Sequence, residues 1–141
     1  MNIQACNACD ACQESRENEC ILEDDMQTLY PKLRPDDSIA TPGYWFTMSA
    51  QTKLFIDHWY ALEGPQGNAL KGKTFGIILT CGDTDPVTSG AINAIHSFED
   101  MFSFIKADLA GFVYGSGNQA GEIKSQKGLL ERSYKLEQKL A

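Results

Sequence analysis

Hydrophobic positions fall into distinct rhythms along the chain, and each change of rhythm marks an element. From Lys73 to Thr80 the apolar residues are almost continuous, the pattern of a strand covered on both faces of a parallel sheet. This predicts a central strand, ended by the turn Cys81-Gly82-Asp83-Thr84-Asp85-Pro86. Ile92, Ile95, Phe98, Phe102, Ile105 and Leu109 then recur at three- and four-residue spacings, which predicts an amphipathic helix with Gly111 as its stop. Phe112-Val113-Tyr114 reads as a further strand and Gly115 to Gly121 as a loop. Leu129, Leu130, Ser133, Leu136 and Leu140 lie on one face of a last helix.

Upstream, Ser38-Ile39-Ala40-Thr41 is a short strand, followed by an aromatic loop from Pro42 to Met48. Ser49 is placed to cap a helix running to about Leu62 that buries Leu54, Phe55 and Trp59, and Glu63 to Asn68 is loop. Asp24-Asp25 opens a shorter helical stretch through Met26, Leu29 and Leu33, which Pro31 should stop or kink near Tyr30. Strands alternating with helices specify an α/β three-layer sandwich around a parallel sheet, one domain over residues 1–141. Residues 24–141 form its core, and residues 1–23, with little apolar periodicity, form a cysteine-rich loop ordered by whatever the sulfurs bind. Only three strands are visible and one sheet edge is unfinished, so a homo-oligomer is expected, a partner shielding that edge.

Composition narrows the function classes. The 141 residues carry a net charge of −7, which repels nucleic acid and anionic lipid. No apolar run approaches the roughly 20 residues that span a bilayer. Met1 to Ala5 has neither a basic start nor an apolar stretch, so the expected location is cytoplasmic and reducing, where disulfides are a poor use for five cysteines.

Four of those cysteines, Cys6, Cys9, Cys12 and Cys20, have the spacing C-x2-C-x2-C-x7-C. Thiolates three residues apart can curl around one inorganic centre. The opening is that of ferredoxin [4Fe-4S] sites, whereas zinc sites usually show two separated C-x2-C pairs. The run departs from ferredoxin in its last step, since Ile21 follows Cys20 where a proline is usual. An iron-sulfur cluster, zinc and metal-free thiols all stay open. Cys81 reads first as a small buried hydrophobe.

Three segments together resemble the NAD(P)H-dependent FMN reductase and iron-sulfur flavoprotein family of the flavodoxin-like superfamily. The cysteine run leads directly into Asp24-Asp25-Met26. Thr41-Pro42-Gly43-Tyr44-Trp45-Phe46-Thr47-Met48-Ser49-Ala50-Gln51-Thr52-Lys53-Leu54-Phe55-Ile56-Asp57 is similar to the family's flavin loop and following helix. Lys71-Gly72-Lys73, the apolar strand and Thr80-Cys81-Gly82 resemble the segment that approaches the other side of the ring. Gly43, Phe46 and His58 stand where Val or Ile, Gly and Arg are common, and the strand before Pro42 is about two residues shorter. The family's first strand and phosphate loop have no counterpart, so the resemblance implies an N-terminally truncated member whose FMN phosphate lacks a cradle.

What the resemblance implies is an FMN-dependent oxidoreductase. It would take electrons from NAD(P)H and pass them to a second acceptor, by way of a [4Fe-4S] cluster if Cys6, Cys9, Cys12 and Cys20 hold one. The implied cofactor-binding residues are Thr41, Pro42, Gly43, Tyr44, Trp45, Phe46, Met48, Thr80, Cys81, Gly82 and Asp83. Aromatic walls suit a flat ring, and glycine lets backbone N–H groups come close. The same aromatics could instead pack on the core or on a dimer partner. Two other function classes remain: an electron-transfer module that never meets a nicotinamide, and a truncated product that binds nothing. No general base is required, since the chemistry belongs to the cofactor, and His58 and His96 receive no role. Lys53 and Asp57, at i and i+4, read as a surface pair.

Overall fold

The protein is described by a computed structural model over residues 1–14, 20–33, 37–65 and 67–140. Strands β1 (Asp37–Tyr44), β3 (Thr74–Cys81) and β4 (Asp108–Ser116) run parallel with β3 in the middle. A two-residue strand β2 (Thr47–Met48) pairs antiparallel with the end of β1, giving the order β2-β1-β3-β4. Side chains alternate along β3. Phe75, Ile77 and Leu79 enter the main core, and Ile78 belongs to the smaller one on the opposite face. The main core lies under α3 (Ala50–Asp57), the 3-10 turn His58–Leu62 and α4 (Ala91–Ile105). Its centre is aromatic: Phe75 stacks on Phe102 at 5.0 Å, and Trp59 lies 5.5 Å from both Phe75 and Phe55. Val113, Leu129 and Leu136 form the second core under α6 (Lys127–Glu137). Both faces of the sheet are therefore covered, which is why β3 can be apolar throughout.

Several boundaries move from their sequence expectation, each for a tertiary reason. The first strand does not stop at Thr41 but continues to Tyr44, because Pro42 stays in register with Thr80 and Tyr44 turns back to pair with Thr47. The aromatic loop is thus a hairpin. Helix α4 ends at Ile105 rather than near Gly111. Lys106 takes the left-handed conformation (φ 59°) because Gly72 N donates to its carbonyl at 2.8 Å and Asp108 N donates to Lys73 O at 2.7 Å, starting β4 at once. Leu109 consequently sits in a strand. Gly111 serves a bulge instead: the register slips between Phe75 and Gly76, so Ala110 is an extra residue and Gly111 takes φ 145°. That insertion keeps Leu109, Phe112 and Tyr114 on the main core while Ala110 and Val113 face α6.

Other expectations hold in place. Helix α2 (Met26–Leu29) gives way to a 3-10 turn, Tyr30–Leu33, at Pro31. Ser49 caps α3, its Oγ accepting from Thr52 N at 3.2 Å, although regular α-helix ends at Asp57 and a 3-10 turn completes the stretch to Leu62. Leu54 and Phe55 are only half-buried; Trp59 is buried. Lys53 and Asp57 form the expected pair. Among the described residues no helix is long and apolar enough to cross a membrane.

On its outer side β1 meets no strand between Asp37 and Pro42 among the described residues. A groove of about 480 Å³ runs beside that edge, lined by Leu29, Leu33, Ile39, Leu54, Phe55 and Trp59 among others.

Candidate functional site

The C-terminal ends of β1, β3 and β4 open on one side of the sheet, where ligands of open α/β domains sit. The β1–β2 hairpin supplies the first wall. Trp45 (φ 48°) and Phe46 (φ 69°) both occupy positive φ, the geometry of a tight two-residue turn usually filled by Asn-Gly. Their conformation is held from outside: Asn93 Nδ2 donates to Phe46 O at 2.9 Å, and Gly90 is so close that a Cβ there would lie 2.4 Å from Phe46 Cα. The aromatic side chains nonetheless stay in solvent, Tyr44 at 72%, Trp45 at 83% and Phe46 at 55% exposure. The tip thus keeps its positive φ without burying its rings.

The second wall is the exit of β3. Gly43 lies directly against Cys81; a Cβ on Gly43 would fall 1.8 Å from Cys81 Sγ. The hairpin and the Gly82-Asp83 turn are therefore neighbours, both exposed. Farther along, Asp85 Oδ2 accepts from Thr88 N and Thr88 Oγ1, each at 2.7 Å, and these bonds hold its carboxyl below the usual range.

Of the residues expected to meet a cofactor, Gly43, Tyr44, Trp45, Phe46, Gly82 and Asp83 come together at this mouth. Pro42 and the half-buried Thr80 lie side by side just behind it in the β1–β3 ladder. Thr41, Met48 and Cys81 are buried. Thr41 Oγ1 accepts from Thr52 Oγ1 at 2.8 Å and from Ser49 N at 3.3 Å, lashing β1 to the start of α3, while Met48 packs in the main core. Their contribution to the mouth is support. Sequence reasoning missed Gly90 and Asn93, which hold the hairpin from outside and carry no local motif.

The cysteine segment lies on another part of the molecule, and a buried histidine anchors it. His58, only 2% exposed, places Nε2 2.8 Å from Gln4 O and 3.7 Å from Asp24 Oδ2. Asp24 and Asp25 accept from Gln4 N and Asn2 N at 2.7 and 2.6 Å. Tyr60 donates to Asp10 at 2.9 Å, and Gln13 Nε2 donates to Tyr60 O at 2.8 Å. Among its described residues the expected loop contains one helical turn, α1 (Ala11–Glu14), and these polar latches tie them to the body. Tyr30 donates to His58 O at 3.2 Å; burial, with Cys20 beside it, pushes its phenol well above the ordinary value.

Cys6, Cys9, Cys12 and Cys20 all line one depression together with Tyr60. The donor set suits iron-sulfur chemistry in kind. The room does not: about 20 Å³ is space for a single water, and among the described residues no three His, Cys, Asp or Glu side chains are placed to hold a metal ion. Among the described residues, this depression has no room for a four-iron cluster.

Comparison with known proteins agrees with the fold. Residues 39–140 match the family model described as the flavodoxin-like fold. A Bacillus subtilis protein named as an NAD(P)H-dependent FMN-containing oxidoreductase is 34% identical over 108 residues, 72% of this chain and 59% of that one. The iron-sulfur flavoprotein of Methanosarcina thermophila is 30% identical over 105 residues, 73% of this chain and 53% of that one. The chain thus spans little more than half the length of these relatives. Among solved structures, the Trp repressor binding protein from Bacillus subtilis superposes with a TM-score of 0.68 at 32% identity, over 81% of this chain and 70% of that one. Parallel sheet and family match agree, and the chain belongs to the flavodoxin-like fold family.

Proposed function

We propose that this chain is the flavin-holding part of an NAD(P)H-dependent FMN oxidoreductase, and that its mouth receives the isoalloxazine ring. One observation carries the reading: the exposed aromatic hairpin and the Gly82-Asp83 turn, far apart in sequence, sit against each other through Gly43 and Cys81. Bound FMN supplies the redox chemistry, accepting a hydride and giving up electrons singly or in pairs. The residues here orient it. Tyr44 and Trp45 present faces that exclude water from a flat ring. The exposed main chain of Gly82 and Asp83 would meet its polar edge. The name of the Bacillus relative supports FMN and NAD(P)H as cofactor and donor. The second acceptor is not specified by the mouth.

Anaerobic titration is the test. Purified chain mixed with FMN should quench flavin fluorescence and rise in melting temperature, since a ligand that binds only the folded state stabilises it. NADH or NADPH should then bleach the bound flavin. Bleaching only by a reduced ferredoxin identifies an electron-transfer module without nicotinamide activity, and absence of any FMN effect removes the flavin reading.

The four thiols on one depression favour a second reading for residues 1–23: a metal-bound form in which the segment opens around a [4Fe-4S] cluster. The name of the Methanosarcina relative supports it. Iron and zinc analysis of anaerobically purified protein, with its visible spectrum, decides between about four irons per chain, zinc, and bare thiols.

The free edge of β1, with the apolar groove beside it, supports self-association with a second copy of this chain. Size exclusion with light scattering should give more than one chain per particle at micromolar concentration. A stable monomer overturns that expectation.

A further inference from the structure

We propose that Tyr114 and Asn118 are positioning residues for the mouth: by holding the carbonyls of Asp83 and Gly82, they turn the N–H groups of Thr84 and Asp83 toward a ligand's acceptor edge. This rests on the flavin reading above and names the side chains that set its donor geometry.

Three successive carbonyls at the exit of β3 are each held by β4 or the segment that follows it. Gly117 N donates to Cys81 O at 2.9 Å, Asn118 Nδ2 to Gly82 O at 3.0 Å, and the Tyr114 hydroxyl to Asp83 O at 2.5 Å. None of the peptide bonds is cis. In a planar trans peptide the C=O and the next N–H point in opposite directions. Fixing the carbonyls of Gly82 and Asp83 therefore fixes the N–H groups of Asp83 and Thr84 on the side away from their holders. Gly43, packed on Cys81, places the aromatic hairpin beside the same turn. Neither amide donates to an acceptor among the described residues, and both residues are exposed. Two free donors beside an aromatic wall match the carbonyl-bearing pyrimidine edge of an isoalloxazine.

The holders are themselves fixed. Tyr114 packs its ring on the main core, and Ser89 Oγ lies 3.1 Å from its hydroxyl. Burial raises the phenol above its ordinary value, Cys81 and Asp83 adding to the rise and the Ser89 hydroxyl opposing it, so the hydroxyl keeps its proton at neutral pH. Asn118 fills the space above Gly82, where a Cβ would stand 2.8 Å from Asn118 Oδ1.

The test uses lumiflavin, the ring without ribityl phosphate, beside FMN, with Tyr114→Phe, Asn118→Ala and, as a control whose hydroxyl bonds Leu129 O within α6 and no carbonyl of the turn, Ser133→Ala. Backbone amide resonances of Asp83 and Thr84 should move when lumiflavin binds the wild-type chain. Each holder variant should bind about fivefold more weakly, the loss of one neutral hydrogen bond, with smaller movements at those two amides and a more negative midpoint potential for bound FMN. Ser133→Ala should bind as wild type does. A purely structural role for the holders predicts lower melting temperatures with unchanged affinity, potential and amide shifts, and that outcome overturns the proposal. So does lumiflavin binding that leaves the Asp83 and Thr84 amides unmoved, which still leaves the flavin reading standing. Failure of the wild-type chain to bind either flavin removes both together. If Tyr114→Phe does not fold, the variant at the exposed Asn118 decides alone.

Discussion

Gly43→Ala is expected to destabilise the protein by about 3 kcal/mol, and Cys81→Ala in the same chain to restore most of that loss. A single added Cβ at Gly43 would lie 1.8 Å from Cys81 Sγ but 3.4 Å from Cys81 Cβ. Everything intolerable in the contact therefore comes from one sulfur. The sulfur cannot step aside cheaply, since Cys81 is buried and β1 and β3 are locked together from Asp37↔Phe75 to Pro42↔Thr80. Overpacking a core costs about 1–3 kcal/mol and more where the backbone must move. Cys81→Ala alone leaves a small void and should cost about 1 kcal/mol. The double variant should stay within about 1 kcal/mol of Cys81→Ala, so the coupling energy is about 2–3 kcal/mol, far above the few tenths expected of independent sites. Urea unfolding of the four proteins measures it. Additive losses would show that the two positions do not share this space.

The same pair shows how far the sequence could be read. That Gly43 departs from the Val or Ile common in the family is visible from residues alone. Its reason is not, because it depends on a neighbour across a strand ladder, and register is a tertiary fact. Strand β3 is legible because burial on both faces leaves an unbroken apolar run. Strand β1 is legible only to Thr41: Pro42-Gly43 reads as loop chemistry, yet Pro42 needs no N–H partner on a side where β1 meets no other strand among the described residues. Gly111 reads as a helix stop because glycine favours positive φ. The positive φ is real, but it serves a bulge, and Lys106 ends the helix under the pull of Gly72 and β4. His58 gives no sequence signal, since its partners are Gln4, Asp24 and Tyr30, more than two dozen residues away. The mouth is legible through its aromatic and glycine segments, while Tyr114 and Asn118, which act on main-chain carbonyls, carry no motif to recognise.

Replacing the hairpin tip by Asn-Gly, as Trp45→Asn with Phe46→Gly, should raise stability by about 1 kcal/mol and weaken lumiflavin binding at least tenfold. The two effects have one origin. Positive φ is costly for residues other than glycine, on the order of 1 kcal/mol or more each, and Asn-Gly is the pair that tolerates two such residues in a tight hairpin. Trp45 is 83% exposed, so little packing is lost with it. Phe46 surrenders some contact with Gly90, which is why the expected gain is well below the full strain of two residues. A protein selected for stability alone would carry the gentler tip. Keeping Trp-Phe there is worthwhile only if the rings meet something, and an aromatic wall against a flat heterocycle is worth about 0.5–1.5 kcal/mol per ring beyond area burial. Thermal melting reads the first effect and flavin fluorescence the second. Higher stability with undiminished lumiflavin affinity would show that the ring rests elsewhere; lower stability would show that the tip is relaxed despite its dihedral angles.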